Sequence, residues 1–402
     1  MIKENKTNIF FVGGYYPSKL KEYFLLYSKV GLDFAANNLQ EAIFKGFDLL
    51  DIDYHVINAP FLGSFPFFYK RIIIPSYKSD NNKIISLSYV NISYLKRFDI
   101  KKNVMREILK QLKNNSNEKV VLFYNFSCIS IAKLLKIKFP DLKICLLITD
   151  LPEYMAADNS ILTKINKKVD NFFSQNKNYY NYIDGYILLT SKMREKLPIG
   201  NKPWIQIEGI YNSNKYRENV PKEKLKTILY TGNIGKRYGI LDLLDAFSGI
   251  DNPNYRLWIR GNGECLSEIK NRILKDRRII YYEQMSRENL ILLQKKATLL
   301  INPVHSFETF TKYFFPSKTI EYLASGTPTL MCKLACLPKE YESYIYFFDD
   351  ESIEGMRNKI IKTCSKKPEE LEHFGRRASN FILKEKTPSS QSLKITNFLK
   401  KL

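Results

Sequence analysis

Short apolar runs rich in β-branched and aromatic residues alternate along this chain with longer helix-patterned segments, and past residue 211 the alternation starts again. Alternation of this kind demands parallel sheets, because parallel strands need a crossover of a dozen residues or more, usually a helix. In the first half the pattern predicts strands at Thr7–Gly13, Asp53–Ala59, Lys119–Tyr124, Lys143–Thr149, Gly185–Leu189 and Trp204–Gly209. Helices are predicted between them at Asp33–Gly46, Lys101–Leu112, Ile129–Lys138 and Ile161–Tyr182. A polar stretch, Tyr211–Lys226, reads as a linker. Strands are then expected at Leu225–Tyr230, Tyr255–Ile259, Arg278–Tyr282 and Thr298–Asn302, with helices at Ile240–Phe247 and Ser286–Ala297.

A length of 402 residues is too great for one ordinary core. The expected architecture is α/β, with two Rossmann-like doubly wound domains facing a central cleft. The predicted bounds are 1–210 and 211–385, followed by a C-terminal helix at 386–402 that packs back on the first domain. In such sheets ligands bind beyond the carboxyl ends of the strands, at loops feeding helix N-termini. The glycine-bearing loops of this chain fall at such strand ends.

Composition is that of a globular protein, 45% hydrophobic and 26% charged. No apolar run approaches the roughly 20 residues that span a bilayer. The polar start, MIKENKTNIFFVGG, does not suit a signal peptide, so a cytoplasmic location is expected. Six scattered cysteines show no zinc-ribbon spacing; Cys332 and Cys336 are a slight metal hint against the plainer reading of buried thiols. The net charge of +22 calls for an anionic partner: nucleic acid, an acidic membrane surface or a phosphate-bearing substrate.

Three loops of the second half share one chemical theme. Thr231 to Gly239, TGNIGKRYG, combines Gly232 and Gly235 with Lys236 and Arg237, so backbone N–H groups and charge can meet an oxyanion. Gly261-Asn262-Gly263-Glu264 is a second glycine turn. The third is FFPSKTIEYLASGTP, a helix with Pro316 suited to its first position and Gly326 to the residue past its end. Its first turn carries Lys318, a poor place for a cation unless an anion sits there too. Glu321 lies three residues on, on the side of Lys318 and Ser317. Each feature also has a plain reading: a strand-to-helix turn, a simple turn, and a local lysine–glutamate pair.

Taken together, the order and spacing of these segments resemble family 4 glycosyltransferases of GT-B fold, in particular bacterial members that build capsular or other surface polysaccharides. ILYTGNIGKRYGILDLLDAF, YRLWIRGNGE and FFPSKTIEYLASGTPTL carry the resemblance, which covers Leu225 to Leu330 best. It implies a nucleotide-sugar donor, with UDP favoured, held by the second domain. Glu321 would grip the ribose diol. Pro316, Ser317, Lys318 and the N-terminal amides of that helix would face the diphosphate. Lys236 or Arg237 would neutralise the leaving group, and Met285 and Ser286 would border the base. The implied reaction is retaining and metal-independent, the departing diphosphate taking the acceptor's proton. The donor is a substrate, and no cofactor is implied.

Two departures stand out. The family often has a lysine where Tyr238 stands. Many members also carry two glutamates around this helix, and the position of the first is Tyr313 here; Glu308 is at the wrong spacing. His305 is a lone loop histidine that could sit near the sugar or serve the loop alone. In the first domain, Gly13 and Gly14 end the first strand, permitting close approach of donor and acceptor. Asp150, in ITDLPEYM, is a candidate to orient or deprotonate the acceptor hydroxyl, with Glu153 as the lesser alternative.

The segments Tyr15–Lys29 and Ala59–Lys78 interleave aromatics with cations, which suits the interface of an acidic bilayer and a polyprenyl-diphosphate-linked acceptor. A saccharide acceptor and a peripheral position on the inner face of the cell membrane follow as expectations. Two competing readings are a catalytically silent nucleotide-sugar binder and a nucleic-acid-binding protein. Against the latter, no nucleic-acid module is recognisable and the cations are spread over both halves.

Overall fold

The computed structural model describes residues 8–113, 119–151, 153–154, 177–212 and 220–402. They form two compact units, Met1–Ile210 with Pro388–Leu402, and Tyr211–Thr387.

In the first unit the strands are β1 (Asn8–Gly13), β2 (Tyr54–Asn58), β3 (Ile73–Ile74), β4 (Tyr77–Lys78), β5 (Ile84–Ser86), β6 (Tyr89–Val90), β7 (Lys119–Tyr124), β8 (Lys143–Ile148), β9 (Gly185–Leu188) and β10 (Trp204–Gln206). Eight of them form one sheet in the order β10-β9-β8-β7-β1-β2-β5-β4, and β3 pairs separately with β6. The longer helices of this part are α1 (Ser18–Tyr27), α2 (Phe34–Leu49), α3 (Leu95–Lys113) and α4 (Ile129–Lys138), and a single turn forms at Lys177–Tyr180. Of the helix expected over Ile161–Tyr182, the part before residue 177 lies outside the described residues. The closing Pro388–Leu399 helix packs on α2: Ser392 Oγ donates to Ile43 O at 3.1 Å, and Gly46 leaves the space that Ser392 fills.

The second unit is a wholly parallel sheet of β11 (Lys226–Asn233), β12 (Tyr255–Asn262), β13 (Ile279–Tyr282), β14 (Leu299–Asn302), β15 (Thr329–Met331) and β16 (Tyr346–Phe347). Its order is β13-β12-β11-β14-β15-β16. The direction of winding therefore reverses between β11 and β14, the place where doubly wound sheets open a crevice for ligands. The helices are α5 (Ile240–Ser248), α6 (Leu266–Lys275), α7 (Arg287–Lys296), α8 (Lys318–Ser325), α9 (Ile353–Cys364) and α10 (Pro368–Glu385), so the closing helix is α11. Helices on both faces bury β14, β15 and the middle of β11 and β12. Ile228, Tyr230, Leu257 and Ile259 enter one core cluster, while Leu229 and Trp258 enter another, as period-two alternation requires. β11 and β12 both run three residues further than their apolar patterns suggest, through Asn233 and Asn262, because register pairs Gly232 with Gly261 and Asn233 with Asn262.

Candidate active site

The site forms around the end of β11, at the reversal point of the second sheet. Helix α8 starts at Lys318, not at Pro316, whose carbonyl instead accepts from Thr319 N at 2.8 Å in a tight first turn. Gly326 ends it in the left-handed conformation at φ 79°. Its inward residue Tyr322 fixes it to the strand end: the hydroxyl accepts from Thr231 N at 2.7 Å and lies 3.2 Å from Thr231 O. Lys318 is one turn before Tyr322 on the same side, so this latch brings its ammonium beside Gly232.

The environment of that ammonium is unusual. The stem of Lys318 is partly exposed, yet Nζ is buried and has no hydrogen-bond partner among the described residues. It lies 4.2 Å from the centre of the Tyr230 ring, a cation–π contact. A Cβ added to Gly232 would stand 2.9 Å from Nζ, so glycine is what lets the amine reach the strand end. Burial lowers its pKa to about 7. The lysine–glutamate pair that the i, i+3 spacing allows does not form. Glu321 faces Arg287 instead, at 3.6 Å between half-exposed side chains, a geometry that contributes little. Burial raises the Glu321 carboxyl, while the Arg287 and Arg260 guanidinium groups pull it down.

Gly235-Lys236-Arg237-Tyr238 forms a 3-10 turn, with Glu264 accepting from Lys236 N at 2.9 Å. The Lys236 side chain is exposed. The Arg237 guanidinium lies over the Phe310 ring, 3.8 Å from its centre, with the Tyr238 ring at 5.6 Å. Gly261 abuts Gly232 so closely that a Cβ there would lie 1.8 Å from Gly232 O. Gly263 follows on the same turn, facing Ile234. Ser286 caps α7, accepting from Asn289 N at 3.2 Å, and Met285 packs on the cluster containing Tyr322. Ser317 is exposed and makes no side-chain cap, which leaves its hydroxyl available at the mouth of the site. Tyr313 is buried, and Glu308 is half-buried on the loop before α8.

In the first unit Gly13 and Gly14 lie close against other parts of the chain. The backbone N–H of Gly14 donates to Gln40 at 3.0 Å, that of Tyr15 to Asn58 at 2.6 Å and that of Tyr16 to Asn37 at 2.7 Å. These amides are already satisfied within the chain. A Cβ on Gly14 would meet the Phe61 ring at 2.1 Å, and one on Gly13 the Gln40 amide at 2.2 Å. Both glycines are small because their own neighbours fill the space. Asp150 is half-buried after β8. Desolvation raises its pKa, with Asp33 adding in the same direction and Thr149 opposing. Glu153 faces Lys196 at 3.9 Å, and Pro152 and Met155 lie outside the described residues.

Sequence reasoning missed Tyr230, Tyr322, Arg260 and Arg287. Each acts through a partner on another segment, so no local spacing announces it. His305 is buried, its Nε2 2.6 Å from Asp242 Oδ2 and its Nδ1 3.3 Å from Glu351 Oε2.

Residues 212–381 match the family described as glycosyl transferases group 1. No curated protein matches the chain. Among solved structures, sucrose-phosphate synthase from Thermosynechococcus elongatus aligns over 98% of both chains at 14% identity and a TM-score of 0.64. A glycosyltransferase from Rickettsia africae aligns over 99% of both at 13% identity and 0.62. The pneumococcal O-GlcNAc transferase GtfA, in complex with UDP and GlcNAc, aligns over 99% of both at 11% identity and 0.58. At such identities the likeness speaks to the fold, and the fold is GT-B.

Proposed function

We propose that this chain is a glycosyltransferase that moves a sugar from a nucleoside-diphosphate donor, UDP by preference, to a saccharide acceptor carried on a lipid, with retention at the anomeric carbon. One observation carries the reading. A buried ammonium with no hydrogen-bond partner among the described residues stands at the end of β11, one turn of helix from a carboxylate whose ion pair with Arg287 is long, at 3.6 Å. A nucleoside diphosphate presents a diphosphate and then a ribose diol along one line. Lys318 and Glu321 answer those groups in that order, the carboxylate accepting from the vicinal hydroxyls. The match of residues 212–381 to group 1 glycosyl transferases and the UDP held by the pneumococcal GT-B protein support the choice of donor.

The chain's residues would work mainly by positioning and by charge. Lys318 and the α8 N-terminus hold the phosphates, and Lys236 extends from the neighbouring loop to meet the negative charge that grows as the glycosidic bond breaks. Arg237, stacked on Phe310, shapes that loop. Asp150 orients the acceptor hydroxyl, while the departing phosphate oxygen takes its proton.

Glu321→Ala is expected to weaken UDP binding by roughly 10- to 100-fold, the worth of charge-assisted hydrogen bonds, at unchanged melting temperature. Isothermal titration with UDP and GDP on both proteins checks this. Equal UDP affinity in the variant would refute the role of Glu321.

The membrane reading has its own support. No described helix is long and apolar enough to cross a membrane. Leu25, Leu26, Val30, Phe67, Ile72 and Ile73 are exposed on the first unit. Lys29 N donates to Phe68 O and Lys70 N to Tyr27 O, which joins their segments and places exposed Lys29, Lys70 and Arg71 among them. Each cation near an anionic surface contributes roughly 1 kcal/mol. The protein is expected to float with phosphatidylglycerol-rich liposomes at moderate salt and to lose that affinity in Leu26→Glu/Ile73→Glu. Wild-type protein that stays at the bottom of the gradient would refute the surface.

A further inference from the structure

His305, Cys332 and Glu351 come from the loop after β14, the residue after β15 and the turn before α9. Their ligand atoms all lie within 4.8 Å of one another. His305 and Cys332 are buried, and Glu351 is partly so. Asp242, from the first turn of α5, holds His305 Nε2 at 2.6 Å. A histidine whose Nε2–H is given to a carboxylate turns its other nitrogen outward as a lone pair. That lone pair faces Glu351 Oε2 at 3.3 Å. The same oxygen already accepts from Ser306 N at 2.9 Å. When Nε2 carries the proton, two acceptors confront each other beside the Cys332 sulfur. Such an arrangement asks for a cation between the acceptors.

We propose that His305, Cys332 and Glu351 bind a zinc ion, with Asp242 orienting the histidine. A tetrahedral zinc with bonds of about 2.0–2.3 Å sets its donor atoms roughly 3.3–3.7 Å apart, a modest contraction of the set seen here. Imidazole with thiolate and one carboxylate selects zinc over magnesium or calcium, which want oxygen alone. Water completes the fourth position. The ion is structural: it ties the ends of β14 and β15 and the start of α9 to α5, and thereby steadies Pro303, whose carbonyl packs against Gly239 at the end of the Lys236–Tyr238 turn. The cysteine pair suggested by sequence is replaced by a site whose members are far apart in the chain.

The test uses the full chain purified without a polyhistidine tag. About one zinc per chain is expected by mass spectrometry of the metal content. After chelator treatment, zinc chloride at roughly 100 times its dissociation constant should raise the melting temperature by roughly 5–10 °C, and magnesium chloride should not. Cys332→Ser and the isosteric Glu351→Gln should each lose the zinc while retaining the wild-type circular dichroism spectrum. Wild-type protein with less than about a tenth of a zinc per chain and no zinc-induced shift would overturn the site, and a proton would then bridge His305 and Glu351. Variants that hold zinc as the wild type does would overturn it equally. The outcome is independent of the donor reading, which the Glu321 titration decides.

Discussion

Lys318→Met is expected to leave the protein as stable as the wild type or more so, and to lower kcat/KM for sugar transfer by roughly 10²- to 10³-fold. The two effects have opposite signs for one reason. The Lys318 ammonium is buried with no hydrogen-bond partner among the described residues, which costs stability, and methionine fills a similar volume without a charge. In the transfer reaction the same charge meets the growing negative charge of the leaving group, where loss of one such group typically costs two to three powers of ten. The pH dependence carries the same signature. The folded-state pKa is about 7, against 10.5 for the free side chain, so between those values the unfolded chain binds more protons than the folded one. Stability therefore rises with pH across that window, and the full penalty is present below about pH 7. Burial lowers Lys96 and Lys222 to about 8, and both slope the same way. The difference curve between Lys318→Met and wild type isolates Lys318. A bound diphosphate restores the charge, so UDP binding should take up a proton above pH 7, and affinity should fall by up to about tenfold per pH unit. Calorimetry in two buffers of different ionisation enthalpy measures that proton. A variant with unchanged kcat/KM would remove Lys318 from the mechanism.

Gly261→Ala is expected to cost roughly 1–3 kcal/mol, a drop in melting temperature of roughly 2–10 °C, and to abolish detectable UDP binding. The added methyl would stand 1.8 Å from the carbonyl oxygen of Gly232, an atom of the paired strand that has no rotamer to escape by. Strand β11 must shift, and with it the Gly232 backbone against which Lys318 is set. Gly31→Ala, where nothing lies within 4 Å, serves as the control and should melt with the wild type. Thermal unfolding of the three proteins with and without UDP decides the matter. Gly261→Ala protein that melts like the control would show that the strands are not so closely set.

Much of this architecture is legible along the chain because it is local. Short continuous apolar runs separated by helical segments announce β11 to β14, and Gly326 marks the end of α8, where it takes the left-handed backbone. The line Ser317, Lys318, Glu321 can be counted off directly, since three- and four-residue spacing on a helix is geometry. Strand ends were less legible. The glycine-bearing tails of β11 and β12 look like loops alone and are strands only because each pairs with the other. Gly13 and Gly14 show what sequence leaves out. Two glycines at a strand end look like room for a ligand, but Phe61, Gln40, Asn58 and Asn37 arrive from elsewhere to fill the space and satisfy the amides.

By itself the sequence determined the α/β alternation, the restart near residue 211 and the helix on which Lys318 and Glu321 stand, all of which follow from neighbours in the chain. The tertiary structure decided which groups those residues meet. Tyr322 grips Thr231 across 91 positions and so sets Lys318 against Gly232 and the Tyr230 ring, away from Glu321. His305, Cys332 and Glu351 converge because β14 and β15 end, and α9 begins, at the carboxyl end of one sheet. Hydrophobic period and helical spacing are properties of a segment. Burial of an ammonium, or the meeting of two acceptors, belongs to several segments at once and exists only after they have packed.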